Sequence, residues 1–365
     1  MQAFAIGSFY FACKQEPPFQ FITGKFVDAI EKSLSALPAA SEVEIDYAEE
    51  FSTNTLVTSI AEEDDEYFQS VMFLRISFLL YIPKRVQLEV IEDQSGHIDT
   101  GTENFRVLMY GTYDAPVSYV ECLNPSEDCS PSTAVRVIRE YLRRELKGRH
   151  ELIDFECLGP SPFHKDFYID SESSAEQNTD EIEFNEIRMA GYNSVRIKFA
   201  HRDSDRDEII AVAHKFNQEL GLFYSLVRQR RARNAAWRML TSRWESLREI
   251  TDPSPGFFNI KRRYKIYIEC KSLISQSYAF KASDAIKIQA ANVQISERYA
   301  KGLKTYFQAA IDLENNNTLE LPTQTIIDWA MHVHDTTFKG AEIVTLLVSA
   351  IVGGVVGAVI TKVVG

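Results

Sequence analysis

The uncharged run from Ile343 to Thr361, 19 residues between Glu342 and Lys362, constrains this chain more than any other stretch. As a helix it would reach roughly 28 Å, close to the hydrocarbon thickness of a bilayer. Its large apolar residues are Leu, Ile and Val, and small residues recur at every fourth position: Ala341, Thr345, Ser349, Gly353, Gly357, Thr361 and Gly365. On a helix these lie nearly one above another. In lipid, helices associate by close packing and hydrogen bonds, which small residues permit. The expectation is a single C-terminal transmembrane helix over 340–365, tail-anchored and single-pass. Its packing face would be Thr345, Ser349, Gly353, Gly357 and Thr361, set against copies of itself as a pore-forming candidate. A monomeric anchor and a helix buried in a globular or oligomeric core are the alternatives.

The N-terminal MQAFAIGSFYFACKQEPPF lacks the basic start of a signal peptide, and its apolar run stops at Lys14, Gln15 and Glu16. The bulk of the chain is therefore expected in the cytoplasm, on a membrane. Cysteines at 13, 122, 129, 157 and 270 are odd in number and show no CxxC spacing, which indicates neither a disulfide framework nor a zinc site.

The net charge of −13 is unevenly spread. Residues 1–195 carry 15 Lys and Arg against 35 Asp and Glu, and residues 196–365 carry 24 against 17. The acidic half disfavours nucleic acid as a partner. The basic half suits anionic lipid, or attraction to the acidic half within or between protomers.

Residues 1–200 hold recurring β-type runs: IGSFYFAC, VEIDY, SVMFLRISFLLYI, VQLEVIE, FRVLMYGTY, SYVECL, LIDFECL, DFYI and SVRIKFA. Two stretches read as helices. One carries Phe26, Ile30 and Leu34, and the other opens at Ser130-Pro131 and carries Val135, Ile138 and Leu142. The fold class expected is α+β: a mixed sheet-and-helix head with helices on one face, then a long antiparallel helical hairpin, then the membrane helix. The polar run 171–186 reads as a loop at the end of the head.

No GxGxxG, P-loop, HExxH or GxSxG is present. No catalytic residue, metal or cofactor is therefore assigned. The Pro-rich LGPSPFHKDFYI offers His164, Lys165 and Asp166 as a ligand or interface loop, although a stiff turn ending a strand would look the same.

Residues 203–311 read as the hairpin. Ser204 with Asp207 has approximate capping-box spacing. Ile209, Val212, Phe216, Leu220, Phe223 and Val227 then fall on a helical stripe, which resumes at Trp237, Leu240, Trp244 and Leu247. TDPSPGFF at 251–258 ends the first helix. The stripe of the second includes Tyr264, Ile268, Tyr278, Ile288 and Ile295. Both are amphipathic without a clean heptad seam, so further helices are expected to pack on them. At the hairpin tip, Phe257, Phe258, Lys261, Arg262 and Arg263 combine aromatics with basic charge, as a membrane-surface contact would. Residues 312–339 read as a linker and juxtamembrane helix.

In outline this layout is similar to the CorA-type ion transporters. Their Gly-Met-Asn motif between two membrane helices has no counterpart here, so no residue role is carried over. The function expected is a membrane-anchored homo-oligomeric effector or channel-like protein, of the kind a stress or defence response uses. In it the head, sensing a protein or small-molecule signal, controls clustering of the C-terminal helices. The alternatives are a membrane-tethered scaffold binding another protein through head or hairpin, and a membrane-bound enzyme with a site in the head. The expected partners are the lipid bilayer and further copies of the chain.

Overall fold

The computed structural model describes residues 2–13, 23–47, 60–61, 67–68, 74–91, 100–111, 115–127, 129–158, 165–170, 182–187, 193–199, 207–252, 259–300, 306–316 and 321–337. These form two compact units. The head unit is Met1–Gln229 with Lys304–Asn317, and the bundle unit is Arg230–Leu303 with Thr318–Gly365.

The head is built on an eight-stranded mixed sheet. Its strands are β1 (Gln2–Gly7), β3 (Ala40–Asp46), β6 (Arg75–Tyr81), β7 (Asn104–Tyr110), β8 (Val117–Leu123), β10 (Lys165–Asp170), β11 (Ile182–Ile187) and β12 (Asn193–Phe199), in the order β11-β12-β10-β1-β8-β7-β6-β3. Every neighbouring pair is antiparallel except β10 with β12. Two short pairs lie apart from it: β2 (Phe9–Cys13) with β9 (Ile153–Cys157), and β4 (Ile60–Ala61) with β5 (Tyr67–Phe68). The run IGSFYFAC thus splits at Ser8 between two sheets.

Residues 3–7 of β1 are buried throughout, as a strand covered on both faces must be. One face carries Ala3, Ala5, Phe105, Val107, Val120 and Cys122, against α1 (Thr23–Ser35) and α3 (Pro131–Leu146). The expected helical stripes are the buried ones: Phe26, Ile30 and Leu34 on α1, Val135, Ile138 and Leu142 on α3. The opposite face carries Phe4, Tyr119 and Phe167. It is covered by the first half of α4 (Glu208–Thr251) and by α6 (Gln308–Asn316). Helices therefore cover both faces, not one as expected.

Two further expectations are corrected. VQLEVIE is not a strand: Lys84–Val90 is helix α2. Strand alternation would have exposed Gln87, yet Gln87 is buried and its amide donates to the carbonyls of Ile82 at 2.8 Å and Thr102 at 2.9 Å. Part of the expected loop 171–186 is strand β11, held by the β12 main chain and by Phe184 packed near Phe167, Phe216 and Phe307. Residues 171–181 lie outside the described ones.

The bundle unit packs the second half of α4, the first half of α5 (Ile260–Ala300) and a helix over 323–337, here α7. Leu240 and Leu247, Ile266, Cys270 and Leu273, and Ile326 and Ala330 form its core, with Trp244 and Trp329 edge-on 6.0 Å apart.

The single-pass, tail-anchored expectation is corrected as well. Among the described residues no helix is long and apolar enough to cross a membrane. The two longest, α4 and α5, carry charged residues along their whole length. The run 343–361, with Thr345, Ser349, Gly353, Gly357 and Thr361, lies outside the described residues. A membrane location and a lipid partner are therefore not carried forward.

Candidate functional site

Titratable side chains of the head gather where α4 begins. Arg106 on β7 and Glu121 on β8 are cross-strand partners, so both face α4 from adjacent strands. Arg106 Nε donates to Glu121 Oε2 at 2.6 Å. Its Nη2 donates to Asp207 Oδ1 at 3.0 Å, and its Nη1 to the other oxygen of the same carboxylate. That fork matches the planar geometry of guanidinium and carboxylate. Asp207 is also the cap of α4, its Oδ1 accepting from the N–H groups of Ile209 at 3.1 Å and Ile210 at 3.3 Å. Asp207 thus acts in the N-cap position itself, not as the distal member of a box begun at Ser204, which lies outside the described residues.

The electrostatics follow burial. Glu121 is 4% exposed. Burial pushes its carboxyl pKa up, and the adjacent Arg106 opposes that rise. For Arg106 itself burial acts downward, but the bond and charge of Asp207 and the charge of Glu121 outweigh it, leaving its pKa raised. Next to this clasp, Tyr119 donates to Asn217 Oδ1 at 2.8 Å, and its hydroxyl pKa is raised well above the ordinary value by burial. Tyr110, edge-on to Tyr119 and to His214, is pushed up to about 12, also by burial. The cluster ties α4 to the sheet.

A second anchor lies further along α4. Glu219 is 1% exposed, and its carboxylate accepts from the N–H groups of Tyr306, at 3.1 and 2.9 Å, and Phe307, at 2.9 Å. These precede α6, so the charge sits at the positive end of that helix. Phe216 lies 5.0 Å from Phe307 and 5.1 Å from Tyr306, ring centre to ring centre.

Of the expected loop, Lys165 and Asp166 stand in strand β10 and point to opposite faces; His164 lies outside the described residues. Lys165 pairs with Glu186 at 2.9 Å. Asp166 accepts from the N–H of Ser132 at 2.7 Å in the first turn of α3, and burial raises its pKa. Lys165 and Asp166 are thus on opposite faces of the sheet and are not brought together. At the hairpin tip, Phe257 and Phe258 lie outside the described residues. Lys261 is exposed, Arg263 is half-buried, and Arg262 donates to the carbonyl of Ile250 at 3.0 Å, which closes the end of α4. Arg233 in the mid-helix basic run sits 2.8 Å from Asp284 of α5. Among the described residues no group of three or more His, Cys, Asp or Glu is placed to hold a metal ion.

Sequence reasoning passed over Arg106, Glu121 and Glu219. The signal present was a charged residue at an inward position of an otherwise apolar pattern, FRVLMY, YVECL and QELGLF, which demands a buried partner. Compared with known proteins, the chain matches no family model, no curated protein and no solved structure.

Proposed function

We propose that this chain is a non-enzymatic binding and assembly protein. The acidic head recognises a protein or small-molecule signal, α4 carries the state of the head into the helical bundle, and the bundle presents the surface on which complexes assemble. One observation carries this reading: α4 is a single 44-residue helix whose first half belongs to the head and whose second half belongs to the bundle. A continuous helix is a stiff element, its backbone bonds closed within itself. The head holds its start by the Arg106–Asp207 fork and, about three turns on, by Glu219. A change in the head that alters either anchor biases a rod shared with the bundle, which is the physical requirement for coupling two sites.

The tryptophans make this testable, because all three, Trp237, Trp244 and Trp329, lie in the bundle unit. Tryptophan emission therefore reports the bundle, while Arg106 lies in the head. In Arg106→Met, the thermal transition followed by tryptophan should move down together with that followed by far-ultraviolet dichroism. An unmoved tryptophan transition beside a destabilised head would refute the coupling.

A further inference from the structure

Helix α5 is apolar on two opposite sides. Ile266, Cys270, Leu273, Ala291 and Ile295 point inward and are buried. Tyr264, Ile268, Tyr278, Ile286 and Val293 are instead 67%, 44%, 50%, 68% and 48% exposed. At 3.6 residues per turn these five fall within an arc of about 80°, opposite the buried side, along roughly 44 Å of helix. The other positions in that arc are Lys271, Ser275, Ala282 and Gln289, so a single charge interrupts it. A solvated helix face is normally charged and polar, and an apolar stripe of this length with one charge in it marks an interaction site.

We propose that this stripe is where two copies of the chain meet, α5 against α5. The inference deepens the function proposed above and rests on it, since it names the partner of the bundle. Three features select a second copy. First, the five side chains leave on the order of 500 Å² exposed, so a symmetric pair removes about 1,000 Å² from water, the size at which a specific interface begins. Second, a stripe nearly free of charge is complementary to itself, as a two-fold contact requires, and offers little to a partner recognised by charge. Third, the charges on α5 suit antiparallel pairing. Lys261, Arg262, Arg263 and Lys265 crowd its first turns. An antiparallel partner keeps the two basic first turns roughly 50 Å apart, where a parallel one would set them side by side, and brings each to a segment where Glu297 and Arg298 balance. The two-fold axis then passes close to Tyr278–Ala282.

The test is sedimentation of the full chain over a range of concentrations. The wild-type chain should pass from monomer to dimer, with little dependence on salt because the contact is apolar. Ile286→Glu combined with Val293→Glu should raise the dissociation constant about 100-fold. Met239→Glu, at an equally exposed apolar position on α4, should leave it unchanged. Ala282→Cys gives a second readout that leaves the apolar stripe intact: a short bis-maleimide should join two copies through position 282 but not through Lys261→Cys, with the wild-type chain as control for its own cysteines. A chain that stays monomeric at every concentration overturns the proposal, whatever other protein binds the stripe. So does a dimer that the double variant leaves intact. A monomer whose tryptophan transition still follows Arg106→Met would lose this surface and keep the coupling through α4.

Discussion

Asp207 serves two partners, and substitution separates them. Asn caps a helix about as well as Asp but cannot pair with Arg106 as an ion. Asp207→Asn is therefore expected to lose only the ionic part. Asp207→Ala also loses the cap and should cost about 1 kcal/mol more; urea denaturation of the two variants gives the difference. Glu121 and Asp166 set a pH dependence. Burial raises both carboxyl groups above their ordinary values, so the folded protein keeps these protons to higher pH than the unfolded chain does. Their contribution is full below the ordinary carboxylate range and is lost as pH rises through the raised values. Asp166→Asn, which can still accept from Ser132, should flatten the fall in melting temperature from about pH 4 upward. A slope identical to wild type would remove Asp166 as a source. Gly101 gives a steric case: its φ is +76°, and a Cβ there would lie 2.5 Å from Cys129 Cα. Gly101→Ala is expected to destabilise by about 2 kcal/mol or more, through strain and overpacking together.

The elements differ in how far local pattern could place them. The stripes of α1 and α3 and the first half of α4 were legible, because their apolar residues fall at helical spacing and all are buried. Helix α2 was not, since its alternating V-Q-L-E-V mimics a strand, and the burial of the Gln87 amide is explained by the two carbonyls that receive it and by the Thr100 hydroxyl that donates to its Oε1 at 2.8 Å. Strand β11 was hidden by its acidic sequence, although it pairs with the very next strand, β12, with Ile187 opposite Ser194. On α5 the pattern grouped Tyr264, Ile268 and Tyr278 with Ile295 in one packing stripe, yet of these four only Ile295 is buried, and the inward face also carries Ile266, Cys270 and Leu273. Periodicity finds apolar faces but not which face the neighbours occupy. The seating of α6 depends on Glu219. In Glu219→Ala the buried N–H groups of Tyr306 and Phe307 lose their acceptor, and the loss should be about 2–4 kcal/mol. Glu219→Gln keeps one acceptor oxygen and should recover part of it. Equal stability of the two variants would contradict the capping role.

At the scale of the molecule, a long helix in the middle of the chain was legible as a hairpin arm. Its division between two units was not. The stripe Ile209–Val227 and the stripe Trp237–Leu247 look alike in sequence, but the first faces a sheet and the second a helical bundle. The interruption at Arg230, Arg231 and Asn234 marks where one compact unit gives way to the other. Composition carried the acidic head and the basic remainder, which fits a head and bundle with different partners. The central claim is that α4 transmits between them. Hydrogen exchange read by mass spectrometry tests it most directly, comparing residues 230–251 in the wild-type chain and in Arg106→Met under conditions where both are folded. Faster exchange across 230–251, far along the helix from the altered side chain, is the expected result. Faster exchange confined to the first turns of α4 and the adjacent strands, with 230–251 unchanged, would contradict it.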